Sequence, residues 1–321
     1  MLRGVAVLLA ILAATPVAAL DAIKVGITDR VNTVLPLWMA EAGGFYAAQG
    51  LRPEITPMGG GGPGIQALAG GRIDIMRVGL SSVVQGNRAG GDLRTIASMS
   101  NVIRFAFFTA PGVTTAAALK GGVVGISTRG SETDTVVTLT LRRLGLTRSD
   151  VTVREFATAR ERLAALRAGE IRATVLNEPA ASLAREQGVP VLVDLAAEQV
   201  PWLFSSVVVR RADLAGRRDL LVRFLKAAIE GNYLAFADPA LAREVIAREL
   251  RLTDRKIVDI SYDDFRKQSP LDMELARPAA ENVLAEVPGA GRVEDHLDFG
   301  ILDDLRQQGF FATLRQKYAV R

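Results

Sequence analysis

The chain has 321 residues, 49% hydrophobic and 23% charged, a balance that excludes a disordered chain and allows a sizeable core. It has no cysteine and one histidine, which excludes disulfides, a lipid-bearing N-terminal cysteine and a cysteine/histidine zinc framework. The formal charge is +4, and the basic residues are scattered singly or in pairs such as Arg210-Arg211 and Arg217-Arg218, without the clustering a nucleic-acid surface needs.

The N-terminal MLRGVAVLLAILAATPVAAL carries one basic residue, Arg3, then an apolar stretch over 5–14, Pro16, and a Val17-Ala18-Ala19 end with small residues at the cleavage-defining positions. This predicts a secretory signal peptide over 1–19, cleaved near residues 19–20. The apolar run is roughly half of the ~20 residues that a membrane helix needs. No later segment is long and apolar enough to span a bilayer. The expectation is therefore a soluble, freely diffusing periplasmic protein, and roughly 300 mature residues suggest two lobes.

Short β-branched runs then alternate with helical patterns, as in parallel sheets with crossover helices. AIKVGIT reads as a strand, PLWMAEAGGFYAAQG as a helix ended by glycines, and LRPEITPM as the next strand. A glycine loop leads into a short helix, PGIQALAGG, with Pro63 suited to its first turn and Gly70 to its end, and RIDIMRVG is a third strand. The rhythm restarts after residue 120: strand GGVVGISTRG, helix SETDTVVTLTLRRLG with Ser131 and Asp134 as a capping-box-like start, strand VTVREF, helix TARERLAALRAGE with Thr158 and Glu161 as a second box, and strand IRATVLNEP. WLFSSVVVRR is a lone strand that leads into a wholly helical tail. The two halves match as units, so the reading is two similarly wound α/β lobes with the second inserted in the first. Lobe one covers 20–107 and lobe two 108–206, with 207–321 completing lobe one.

Gly59, Gly61 and Gly64 satisfy the G-x-G-x-x-G spacing of dinucleotide-binding loops. The match follows the second strand rather than the first. Val83, Val84 and Gln85 lie about 20 residues beyond Gly64, where an acidic ribose ligand belongs, and Asp74 comes too early. No Gly-Lys-Ser/Thr is present either. No cofactor is expected; the glycines instead let a ligand approach bare N–H groups at a helix start.

PLWMAEAGGFYAAQGLRPEI, GGPGIQALAGGRIDIMRVG, LKGGVVGISTRGSETD, ALRAGEIRATVLNEPAASLAREQG and RFLKAAIEGNYLAFADP, in this order and spacing, resemble the substrate-binding proteins of ABC importers in the nitrate/sulfonate/taurine class. The resemblance spans nearly the whole mature chain. It implies a type II periplasmic-binding-protein fold: two doubly wound α/β lobes, two crossover strands near residues 105–109 and 202–208, and a cleft that closes on a small ligand by hinge motion. It also implies a monomer whose partners are an ABC permease and ATPase.

In open α/β sheets ligands sit beyond the carboxyl ends of the strands, where helix N-termini favour an anionic group. That selects Thr28, Asp29 and Asn32 after the first strand, Gly60 and Gly61 in the glycine loop, and Ser81 and Ser82 after the third strand. In lobe two it selects Arg129, Gly130 and Ser131, with Asn177 and Glu178. Arg129 is the sharpest candidate, since a guanidinium beside a helix start can grip a carboxylate or sulfonate through two parallel hydrogen bonds. On the implied crossovers, Arg104 is a second candidate anion contact, and Trp202 and Phe204 are candidate stacking surfaces. Enzyme readings, including pyrimidine-precursor or menaquinone-type biosynthesis on the same fold, have little to work with. The single His296 stands among acidic residues in the tail, no G-x-S-x-G is present, and none of the lysines has a context that recommends it.

Overall fold

The computed structural model describes residues 19–320, so the expected signal peptide lies outside the described residues apart from its last position. Among the described residues, ten strands form two five-stranded sheets. The first contains β1 (Asp21–Ile27), β2 (Leu51–Pro57), β3 (Ile75–Val78), β4 (Leu93–Val102) and β10 (Pro201–Arg210), in the order β2-β1-β3-β10-β4. The second contains β5 (Ala106–Thr109), β6 (Val123–Ile126), β7 (Thr152–Glu155), β8 (Ala173–Leu176) and β9 (Val191–Asp194), in the order β7-β6-β8-β5-β9.

The two sheets are built alike. In each, the first three strands are parallel, Val25 pairing with Ile55 and Ile75 in one and Val124 with Val153 and Ala173 in the other. In each, the strand from the lobe-to-lobe passage inserts antiparallel, β10 between β3 and β4 and β5 between β8 and β9. β3, β5 and β8 are buried along their whole length, so apart from Arg77, Thr109 and Thr174 they read as continuous apolar runs rather than alternating ones.

The chain passes from the first sheet to the second over residues 103–105 and returns over 195–200. The two passages are tied together by Ile103 N–H donating to Val200 O at 3.0 Å and Ala196 N–H to Phe105 O at 3.0 Å. The crossovers expected at 105–109 and 202–208 therefore fall mostly inside β5 and β10, and the expected end of lobe two at 206 falls in the middle of a strand of the first sheet. Apolar patterning marks buried strands; the short passages between them carry no periodic signal.

Other boundaries also differ. The first expected helix is two, Leu35–Ala42 and Phe45–Ala48, separated by Gly44 at φ 70°. The expected GLSS loop is the start of a helix, Leu80–Arg88, capped by Gly79. Thr158 caps its helix as expected, accepting Glu161 N–H at 3.1 Å, while the Glu161 carboxylate takes Ala157 N–H at 2.9 Å. Ser131 forms no side-chain cap with the third helical residue. Its Oγ instead bonds Ser127 and Thr133, and Asp134 accepts Gly130 N–H at 2.9 Å.

The helical tail packs on lobe one. Helix Arg218–Ala237 lies against Leu35–Ala42 so closely that a Cβ on Gly231 would stand 2.4 Å from Pro36 O. Further along, Thr95 of β4 exchanges backbone bonds with His296 and Asp298. His296, expected in a tail loop, is buried at 3% exposure. Its ring bonds Ala290 O at 2.5 Å and Asn87 Nδ2 at 2.9 Å, a structural role that leaves neither nitrogen for chemistry. Among the described residues no helix is long and apolar enough to cross a membrane.

Candidate ligand-binding cleft

Where the parallel strands of both sheets end, four helices begin, and their N-termini meet. Gly60 starts helix Gly61–Ala69, Gly79 starts Leu80–Arg88, Ser131 starts Glu132–Arg143 and Thr158 starts Ala159–Arg167. Gly61, Gly79, Ser131 and Ala159 all line one cavity of about 60 Å³ between the lobes. Its floor is aromatic: Phe105, from the first passage, and Phe204, from β10, meet edge to face with centroids 4.9 Å apart. Four converging helix dipoles contribute positive potential here.

Two buried arginines add to it. Arg77, on fully buried β3, donates from Nε to Ser205 Oγ at 2.7 Å, from Nη1 to Thr28 Oγ1 at 2.8 Å, and from Nη2 to Thr33 Oγ1. Burial, then the nearby Arg104 charge, pushes its pKa down to about 9. Arg162 comes from the other lobe. It is 4% exposed, its Nε has no hydrogen-bond partner, and burial pushes its pKa down to about 10. A buried guanidinium donor without an acceptor is costly, and such groups are ordinarily paired.

Two carboxylates face the same cavity. Asp29 reaches across the cleft, its Oδ2 accepting Ala159 N–H at 3.0 Å, so it caps a lobe-two helix from lobe one. Glu132 reaches the other way. Its Oε2 accepts Ser81 N–H at 3.3 Å and its Oε1 accepts Trp202 Nε1–H. Burial raises the Glu132 pKa to about 7, against the lowering effect of those donors and of Arg77. Gly79 makes this approach possible, because a Cβ there would lie 2.0 Å from Glu132 Oε2. Gly62 N–H also donates to Thr128 Oγ1 at 3.2 Å, so the glycine loop touches the opposite lobe.

Of the residues selected from sequence, Thr28, Asp29, Gly60, Gly61, Ser82, Ser131, Asn177 and Phe204 line this cavity. Ser81 takes part through its backbone, donating to Glu132. The other selected residues do not line it. Arg129 has a side chain 68% exposed and pairs with Glu155 at 3.6 Å on the rim, because the turn closed by Gly130 at φ 71° carries it outward; Gly130 itself packs on Gln85. Asn32 is fully buried and donates to Ser261 O at 2.8 Å and to Asp264 Oδ2 at 2.7 Å. Arg104 is ion-paired with the same Asp264. Glu178 turns away, accepting Ser182 N–H at 3.2 Å and Arg185 Nη1 at 3.3 Å. Trp202 lies behind the wall and acts through its indole N–H on Glu132, while Phe204 is the aromatic surface that the cavity sees.

Arg77, Arg162, Glu132 and Phe105 were not selected from sequence. Two left a signal. An arginine inside the apolar run RIDIMRVG is anomalous in a strand covered on both faces, and Arg162 lies on the same helical face as Ala159, Leu163 and Leu166. Glu132 reads as an ordinary acid in a first helical turn. Nothing in the sequence marks it. Among the described residues no group of three His, Asp or Glu could hold a metal ion.

Two five-stranded α/β lobes with a polar cavity between them define the fold of periplasmic binding proteins. A model of the family described as NMT1/THI5 like matches residues 32–242, and the chain belongs to that family. Among solved structures, a protein of Bordetella bronchiseptica RB50 is 20% identical, with a TM-score of 0.79 over 90% of this chain and 98% of its own. The alkanesulfonate-binding protein SsuA from Xanthomonas axonopodis pv. citri, solved with MOPS, is 17% identical, with a TM-score of 0.72 over 88% of this chain and 99% of its own. The desulfurization enzyme DszB is 18% identical, with a TM-score of 0.63 over 90% of this chain and 99% of its own, so the same fold also carries catalysis. No curated protein sequence matches the chain significantly.

Proposed function

We propose that the protein is an exported solute receptor that binds a small anion between its lobes and delivers it to an ABC importer. The observation that carries this reading is Arg162: a buried guanidinium with an unpartnered Nε, lining a cavity beside Arg77 and several helix N-termini. A sulfonate, carboxylate or nitrate oxygen supplies the missing acceptor and gains charge-assisted hydrogen bonds.

Size narrows the choice. A cavity holding one water needs roughly 10–15 Å³, so about 60 Å³ admits a head group of a few heavy atoms. A neighbouring cavity of about 290 Å³ shares Asp29, Val31, Ala159 and Asn177 with it and has room for an organic body. This favours a sulfonate or carboxylate with a short tail over bare nitrate. The SsuA structure, solved as an alkanesulfonate-binding protein, supports the same chemistry. Binding is favoured over catalysis because the chain has no cysteine and its one histidine is used structurally. Closure follows from differential contact, since a ligand touching both lobes stabilises the closed form.

A thermal-shift screen of the protein lacking residues 1–19 against alkanesulfonates, carboxylates, nitrate and pyrimidines tests the reading. A ligand present at about 100 times its Kd adds about 2.7 kcal/mol to stability. An organic anion is expected as the best hit. A cation or an uncharged pyrimidine in that place overturns the anion assignment, and uncleaved protein in the cytoplasm of its host overturns export.

A further inference from the structure

Glu132 is the group in the cleft that an anion receptor has least reason to contain. It lines the same cavity as Arg77 and Arg162, and Asp29 faces that cavity too. With both acids ionised, the two guanidinium charges are already cancelled, and an incoming monoanion leaves a net buried negative charge, which is expensive. With Glu132 neutral, the same four residues carry one net positive charge, and the monoanion balances it. Behind this set, Arg104 and Asp264 pair with one another, and on the helix of Glu132 itself Asp134 pairs with Arg148 at 3.3 Å. Neither outer pair supplies a free charge of its own.

On the reading of the cleft as an anion site, we propose that Glu132 is a specificity-determining residue for ligand charge: the receptor takes up a monoanion together with one proton, which resides on the Glu132 carboxyl group in the loaded form. The proton comes from the solvent and no covalent bond to the ligand forms. The neutral acid keeps an acceptor oxygen for Trp202 Nε1–H and turns its new O–H towards the anion. Burial already holds this carboxyl near pH 7, so an added negative charge beside it is enough to protonate it across the neutral range.

The sign follows from linkage. Below the pKa of the free receptor Glu132 is already protonated and affinity is flat. Above it, each anion must bring a proton from solution, and Kd rises about tenfold per pH unit. The test is calorimetric titration of the protein with methanesulfonate, acetate and nitrate from about pH 6 to about pH 8, below the range in which Arg77 discharges, in two buffers of different ionisation heat. The expected result is a Kd that climbs above pH 7 and uptake of about one proton per anion near pH 8. Glu132→Gln, which fixes the neutral form, is expected to bind the anion with a Kd that stays flat from about pH 6 to about pH 8, where Arg77 and Arg162 keep their charges, and about tenfold tighter than the unmodified protein at pH 8. Should the variant not fold, the wild-type slope and the buffer-dependent heat decide alone. An anion that binds with constant Kd and no proton uptake overturns the inference and leaves the anion site standing. Absence of binding by all three anions to either protein at every pH overturns both.

Discussion

Arg162→Met separates the cost of the cleft from its use. The side chain is buried in helix Ala159–Arg167 with Nε unpartnered, and burial holds its pKa at about 10. Against an ordinary guanidinium value above about 12, that depression is worth on the order of 3 kcal/mol. For a base with a lowered folded-state pKa the effect is destabilising at every pH below the folded value and is relieved as pH rises through it. Methionine keeps the aliphatic stem and removes the charge, so part of the penalty, about 1–3 kcal/mol, is expected back as stability. At about 2 °C per kcal/mol for a chain of this size, the ligand-free variant should melt roughly 2–6 °C higher. The same change deletes a charge-assisted contact worth about 1.5–3 kcal/mol, which weakens anion binding by roughly 10- to 150-fold. Thermal melts with and without the best anion from the screen, followed by titration, measure both effects. A variant that melts several degrees lower and binds with unchanged Kd would show that Arg162 serves the fold, and the cleft assignment would fail with it.

Arg129→Ala is expected to leave anion affinity unchanged within about twofold in titration, because the side chain is mostly exposed on the rim and exposed pairs contribute little; a large loss would bring that loop into the site. Gly60→Ala places a Cβ 3.1 Å from Thr128 Cγ2 on a residue at φ 129°, so it should cost about 1–2 kcal/mol in stability and hold the lobes apart. The readouts are a lower melting temperature and a larger radius of gyration by small-angle scattering with ligand; an unchanged radius contradicts the contact. Trp202→Phe removes a donor that favours the ionised Glu132, which should move the pH at which affinity begins to fall upward from about 7. A downward movement would mean the indole does not act on that carboxyl.

Most of the architecture is written in local pattern. The strands AIKVGIT and VTVREF, the helix cap at Thr158 and the glycine start of helix Gly61–Ala69 each follow from side-chain periodicity or backbone freedom within a few residues. The rule that ligands gather beyond strand ends also places Thr28, Asp29, Gly60, Gly61 and Ser131 beside one cavity. Which arginine serves that cavity was not legible. Arg129, beside a glycine turn and a helix start, has the better local credentials, yet the turn swings it to the rim. Arg77 and Arg162 look like polar interruptions of apolar faces, and they lie on different lobes far apart in the chain. Periodicity determines that a side chain is turned inward, but not what it meets there. The cavity between Arg77, Glu132 and Arg162 exists only because two independently wound lobes pack against each other, and that is a property of the tertiary structure alone.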